Sequence, residues 1–195
     1  ERGTFIFNSG DLCKIEHIPE MLEAGIDSFK IEGRMKTALY VATVTRTYRK
    51  AIDDCLRDRE LYRRNMEWYR EEIGKCTFRS YTTGFYCGKP GAESQIYDNS
   101  TYIKNYTYLG TVEETDGAGR GRLTQKNKFS VGETIEIMKP DGRNLEAVVR
   151  EIRTEDGEPQ ESAPHSKQVL WVSFEAEAGV EPYDILRRRE EQAGE

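Results

Sequence analysis

Lys30, Glu32 and Arg34 recur at every second position of SFKIEGRMK, residues 28–36, with Phe29 and Ile31 between them. In an extended chain successive side chains point to opposite faces, so this pattern puts three charges on one face and two apolar groups on the other. Such a set is suited to gripping an anion. A guanidinium meets a carboxylate or phosphate bidentately, an ammonium adds a point charge, and a carboxylate between them orients both. The alternatives are an edge strand with a solvated charged face, or a buried structural ion network in which the three neutralise one another. The other groups capable of chemistry are sparse. His17 and His165 are the two histidines, and neither has a Ser, Cys or carboxylate pair at triad or metal-ligand spacing, so His17 reads as a local cap or packing residue. Cys13, Cys55, Cys76 and Cys87 are scattered without a CxxC pair, which indicates free, structural thiols rather than a disulfide framework or a zinc site. Neither a P-loop nor GxGxxG occurs, so no nucleotide cofactor is indicated.

The elements that must position the charged stretch can be read on either side of it. DLCKIEHIPEMLEAG has Pro19 suited to the start of a helix, Ile18 and Leu22 four apart, and Gly25 where a helix stops. After the stretch, TALYVATVTRTYRKAIDDCL places Val41, Val44, Tyr48, Ala51 and Cys55 on one helical face with Arg and Lys on the other. GTFIFNS, near the start, is another strand candidate. The order strand, helix, strand, helix suits an α/β barrel, in which Lys30, Glu32 and Arg34 would point inward toward the active-site mouth. Closure needs about eight strands, so residues 1–75 read as the last two βα units of an incomplete, TIM-like barrel. A third helical stretch, ELYRRNMEWYREEIGK, puts Tyr62, Met66, Tyr69 and Ile73 on one face and ends at Gly74.

Beyond it the period falls to two. TYLGTVEE, GRLTQ, ETIEIM, EAVVREI and QVLWVSFE read as strands separated by DGAG, PDG and EDGEPQESAPHS, with Asp141-Gly142 a turn and the loop around Pro159 to His165 the mobile one. The expectation is an α+β chain: truncated barrel units over 1–75, an aromatic-rich linker over 76–105, and a small antiparallel β-barrel domain over 106–195. The linker region crowds Phe78, Tyr81, Phe85, Tyr86, Tyr97, Tyr102, Tyr106 and Tyr108 near Arg79, Lys89 and Lys104. These rings either stack bases or glue the linker to the barrel.

At 195 residues, 36% hydrophobic and 33% charged, the chain is globular. No apolar run approaches a membrane span and no signal peptide is visible, so a cytoplasmic location without membrane contact is expected. Residues 1–75 hold 14 acidic and 14 basic side chains, leaving 21 acidic and 15 basic beyond, so the net charge of −6 sits entirely in the second part. That disfavours a broad phosphate-binding surface but not a local patch, for which Arg120, Arg122, Lys126, Lys128 and Arg187 to Arg189 are the candidates.

The motifs also carry a resemblance. FNSGDLCKIEHIPEMLEAGIDSFKIEGRMKTALYVATVTRTYRKAIDD is similar to the segment that closes the catalytic barrel of the collagenase-like peptidase family U32. The family's Asn-Ser-x-Asp-Leu turn stands here as Asn8, Ser9, Asp11 and Leu12, and its Lys-Ile-Glu-Gly-Arg strand as Lys30 to Arg34. YTTGFYCGKPG and KNKFSVGETIEIMKPDG resemble the family's linker and C-terminal domain, and the branch most alike is the one that hydroxylates a wobble uridine of tRNA with prephenate. The resemblance implies that the catalytic residues lie mainly in an upstream segment absent here, and that this stretch alone is inactive. It also implies an iron–sulfur cluster in the full-length protein, for which Cys13 is the candidate ligand in this stretch; the alternative for Cys13 is packing. Implied partners are tRNA and prephenate, with Lys30 or Arg34 holding an anionic group and Glu32 orienting them. Gly110-Thr111-Val112 and Phe129-Ser130-Val131-Gly132-Glu133 also resemble the second-domain barrels of translation factors, which touch tRNA. The other reading is a non-catalytic module that binds a protein partner or a second copy of itself through the aromatic cluster.

Overall fold

The computed structural model describes residues 8–92, 96, 102–177 and 179–190. The strand candidate at residues 3–9 falls mostly, and Tyr97 wholly, outside them. The chain divides into two compact units, Glu1–Lys104 and Asn105–Glu195.

The first unit is a helical layer beside two minimal strand pairs. Strand β1, Asp11–Leu12, leads into a 3-10 turn at Ile15–His17 and helix α1, Ile18–Glu23, with Pro19 in its first turn. Helix α2, Ala38–Arg57, is capped by Thr37, whose hydroxyl accepts from the Tyr40 N–H at 3.2 Å. The stretch expected as one third helix is two, α3 at Arg59–Arg64 and α4 at Met66–Ile73. They part at Asn65, whose side-chain amide donates to Asp54 of α2 at 2.9 Å. Strand β2, Thr77–Phe78, pairs with β4, Ile103–Lys104, and β3, Tyr81–Thr82, pairs in parallel with β1.

Ile15, Ile18, Met21, Ala51, Cys55, Tyr62, Tyr69 and Ile73 form the core of this unit. The buried face of α2 carries Val44, Ala51 and Cys55 of the expected stripe, with Tyr48 half-buried, but it departs from that stripe in one apolar and two polar residues. Val41 is 40% exposed, whereas Arg46 and Asp54 are buried. Both polar groups are paired there: Arg46 with Glu72 of α4, and Asp54 with Lys50 at 2.7 Å, Asn65 and the Tyr69 hydroxyl at 2.5 Å.

The expected strand at residues 28–36 carries no ladder. Among the described residues no segment pairs with it, and it ends in a turn closed by the Lys36 N–H on the Gly33 carbonyl at 2.9 Å. Its side chains still alternate, with Phe29, Ile31 and Gly33 half-buried and Lys30, Glu32 and Arg34 exposed.

The second unit is an antiparallel sheet that closes on itself. Strands β5 (Tyr106–Thr115), β6 (Arg120–Thr124), β8 (Thr134–Met138), β9 (Asn144–Thr154), β12 (Val169–Ala176) and β13 (Ile185–Arg189) form a ring in the order β9, β12, β6, β5, β13, β8 and back to β9. Leu109, Val112, Leu123, Ile137, Ile152, Leu170, Val172 and Leu186 fill it. Bulges at Val112/Glu114, Ser173/Phe174 and Leu186/Arg187 bend the strands around the closure. The loop expected to be mobile is instead pinned. β10, Pro159–Gln160, pairs with β9, and β11, Ser162–Ala163, pairs with β7, Phe129–Ser130. Strand β13 departs from the expected surface cation run that ILRRR resembles. Arg187 in fact has no exposed side-chain area and reaches Glu136 of β8 at 2.5 Å.

Removing one partner of that pair strands the other, so Arg187→Ala should destabilise the second unit by about 3–5 kcal/mol. Arg188→Ala, in a half-exposed pair with Glu133, should cost less than about 1 kcal/mol; chemical denaturation of the two variants checks the difference. In the first unit burial pushes the Asp54 carboxyl up, but hydrogen bonds from Lys50, Tyr69 and Asn65 outweigh it and leave its pKa below the ordinary value. The stability this contributes is present above the ordinary aspartate value of about 4 and drains as pH falls through the lower folded value. Asp54→Asn should therefore flatten the acid limb of a stability–pH profile.

Candidate functional site

In the first unit β1 is anchored on the segment before and within β3: the Asp11 N–H donates to the Ser80 carbonyl at 3.1 Å and the Cys13 N–H to Thr82 at 2.9 Å. Gly10 makes this approach possible, since a Cβ there would lie 2.3 Å from the Ser80 oxygen. Against this frame opens a cavity of about 670 Å³. Its walls are apolar and aromatic, with Met21, Phe29, Ile31, Val44, Tyr48 and Tyr81 among them, and its rim is charged.

Lys30, Glu32 and Arg34 all line this cavity, together with Cys13. The buried-network alternative is not what they form. Their side chains are exposed, and among the described residues none makes an ion pair; the Glu32 carboxylate accepts only the Arg34 backbone N–H, at 3.0 Å. The charge pair that does form joins two residues the sequence reading left apart. Lys36 reaches the Asp11 carboxylate at 2.7 Å, lies over the Tyr40 and Tyr102 rings at 5.0 and 4.8 Å, and shares Asp11 with the Arg79 N–H at 3.0 Å. Asp11 and Lys36 both stand in the quoted motifs, but no spacing rule joins residues 25 apart.

Tyr48 accepts from the Lys14 N–H at 2.7 Å and lies 3.7 Å from the Cys13 sulfur. Burial, with the nearby Cys13, holds the Tyr48 hydroxyl well above the usual phenol range. Burial and then Asp11 push Tyr40 up to about 12. Burial likewise raises the Cys13 thiol, against smaller opposing hydrogen bonds from Ile15 and Tyr48. The wall is therefore neutral and protonated near pH 7, and the free charges are at the rim.

These residues do not build a cluster site by themselves. Among the described residues no three His, Cys, Asp or Glu side chains converge to hold a metal. Cys55 and Cys76 are buried and Cys87 is exposed elsewhere. Only Cys13 faces the cavity.

The expected cation patch of the second unit is largely neutralised. Arg120 is held by Asp116 at 2.5 Å, and Arg122 by Glu113 and Glu155 at 2.7 and 2.8 Å, with Glu114 at 3.3 Å. Lys126 and Lys128 are exposed and, among the described residues, make no ion pair.

A contact that sequence spacing hides is that of His17 with Cys87, 70 residues away, at 3.7 Å between Nε2 and Sγ. Glu20 stands 4.0 Å from the other ring nitrogen.

Comparison with known proteins places this geometry. Residues 1–96 match the model described as Peptidase family U32, and residues 104–187 match that of the Peptidase family U32 C-terminal domain. The chain belongs to peptidase family U32. It is 37% identical over 189 residues to tRNA hydroxylation protein P1 of Bacillus subtilis (strain 168), covering 96% of this chain and 44% of that protein. It is 33% identical over 175 residues to tRNA hydroxylation protein P of Escherichia coli (strain K12), covering 88% and 37%. A Collagenase of Porphyromonas gingivalis is 27% identical over 189 residues, covering 94% and 50%. The chain thus spans less than half the length of the two tRNA hydroxylation relatives.

Because the Gly10 contact is with backbone, which cannot swing aside, Gly10→Ala should break the β1–β3 pairing and cost about 2 kcal/mol or more. Thermal denaturation checks the loss, and weaker quenching of the cavity tyrosines would report the site opening.

Proposed function

We propose that this chain is the C-terminal portion of a protein that acts in the hydroxylation of a tRNA wobble uridine with prephenate, with most of the catalytic residues in the upstream part. The observation that carries the reading is the rim of the cavity: two exposed cations, Lys30 and Arg34, without carboxylate partners among the described residues, over a neutral tyrosine-lined wall. Prephenate has an apolar ring and two carboxylates. Its ring suits the wall, its carboxylates suit Lys30 and the bidentate Arg34 guanidinium, and Glu32 sets the approach by fixing the Arg34 backbone.

In this reading residues 28–34 are a strand of an α/β barrel whose neighbouring strands belong to the upstream part, and residues 1–75 supply the barrel's last two βα units. The names of two relatives support the tRNA assignment, and a protein that modifies tRNA works in the cytoplasm. Any phosphate contact by the closed sheet falls to Lys126 and Lys128, because Arg120 and Arg122 are already spent on carboxylates. Cys13 would serve as one ligand of an iron–sulfur cluster completed upstream.

The test is Arg34→Gln in the full-length protein, with the hydroxylated nucleoside measured by mass spectrometry of digested tRNA. Hydroxylation should fall by roughly tenfold or more, the scale of a lost charge-assisted hydrogen bond, with no change in thermal stability. Unchanged hydroxylation, or a loss that follows unfolding, would favour a module that only binds or assembles. A parallel mobility-shift titration with bulk tRNA should show steep salt dependence that softens in a Lys126→Gln, Lys128→Gln double variant.

A further inference from the structure

The turn Thr83–Pro90 brings a thiol to a base. Gly84 and Gly88 adopt φ values of 59° and 130°, and the Tyr86 and Gly88 N–H groups close the turn on the carbonyls of Thr83 and Phe85, each at 3.3 Å. Cys87 is thereby exposed, while Cys55 and Cys76 are buried and Cys13 is half-buried. Its sulfur lies 3.7 Å from His17 Nε2.

The imidazole is flanked by two groups, the second of which is itself held in place. Glu20 stands 4.0 Å from Nδ1, the Tyr86 ring packs against it at 4.7 Å between centroids, and Lys14 fixes Tyr86 from above at 4.0 Å while donating to the Thr83 carbonyl. Nε2 is left for the sulfur. A carboxylate at one ring nitrogen and a thiol at the other is the arrangement in which histidine removes a thiol proton. The thiol also opens on a space of its own: Cys87 lines a cavity of about 340 Å³ with Thr82, Thr83, Gly84, Gly88 and Lys89. Beside Tyr81 and Pro90, which also line it, the cavity offers backbone groups, hydroxyls and the Lys89 cation, so a small guest bearing an anionic group suits it.

We propose that Cys87 and His17 form a thiol–disulfide exchange site whose substrate is a small disulfide bearing carboxylates, seated beside Lys89. His17 Nε2 takes the proton from Cys87, and the thiolate attacks one sulfur of the disulfide. The disulfide bond breaks as the Cys87 mixed disulfide forms, and the departing thiolate recovers the proton from His17. Cys87 is oxidised and the departing half is reduced, so no further reactant enters. The site is independent of the hydroxylation reading and uses none of the residues assigned to it.

The experiment is reaction of the 195-residue chain with oxidised glutathione, followed by peptide mass mapping and by the rate of thiol release. The mixed disulfide should form first at Cys87, and Cys87→Ser should abolish that phase. His17→Gln should slow it by roughly tenfold or more, the lower end of what a positioned base supplies. Lys89→Gln should slow the reaction with oxidised glutathione and leave that with uncharged hydroxyethyl disulfide unchanged. An unaltered rate in a folded His17→Gln variant overturns the proposal, as does first modification at Cys13. If that variant does not fold, a free peptide spanning Thr83–Pro90 replaces it: the peptide keeps the exposed thiol and loses His17, and a rate equal to that of the chain overturns the proposal.

Discussion

The arrangement of the first unit depends on what the Asp11 carboxylate holds. One oxygen of Asp11 takes the Lys36 ammonium, which sits at the end of the charged stretch, and the Arg79 N–H, which sits at the entry to β3. A strand of two residues has too few ladder bonds to fix its own position, so this side-chain clasp does the work of a longer pairing. It sets where the stretch from Lys30 to Arg34 ends and where α2 begins. The cation and the carboxylate are both only slightly exposed, so the pair is less screened than a surface bridge, and each is costly to leave alone.

The second unit answers a different constraint. A sheet with open edges exposes unpaired backbone groups; here β13 closes the ring by pairing with β5 on one side and β8 on the other. Closure carries Arg187 inside, where Glu136 and the Met138 sulfur at 3.3 Å meet it. The same logic buries Lys139 against Asp184 at 2.7 Å. The unit is acidic overall, and its buried cations, Lys139 and Arg187, are each matched to a carboxylate.

Period and punctuation made much of this legible in the sequence. Five strands of the second unit and the three helical stretches of the first stand where alternation, helical spacing and glycine stops put them. What failed did so for identifiable reasons. ILRRR hides a strand because a buried arginine and a surface one are the same letter, and only a partner on another strand separates them. Val41 and Arg46 exchange places because α2 buries an ion pair rather than an unbroken apolar face. The stretch at 28–36 keeps its alternation but lacks a ladder, since alternation reports two environments and says nothing of a neighbour. The approach of Cys87 to His17 was invisible, because it depends on two glycine-built bends and not on any spacing.

The cations of this chain sort by what they already hold, and that sorting carries functional information that a count of charges does not. Arg46, Lys139 and Arg187 are structural, locked against carboxylates in the interior. Arg120 and Arg122 lie toward the surface but are tied to neighbouring acids, so an incoming phosphate would have to displace an existing partner before gaining anything. Lys30 and Arg34 stand apart. They sit at the mouth of an apolar cavity, where an anion could bury an apolar body and meet less screening than on an open surface. Under the proposed function the aromatic wall and the cationic rim suit one guest, an anion carrying a ring.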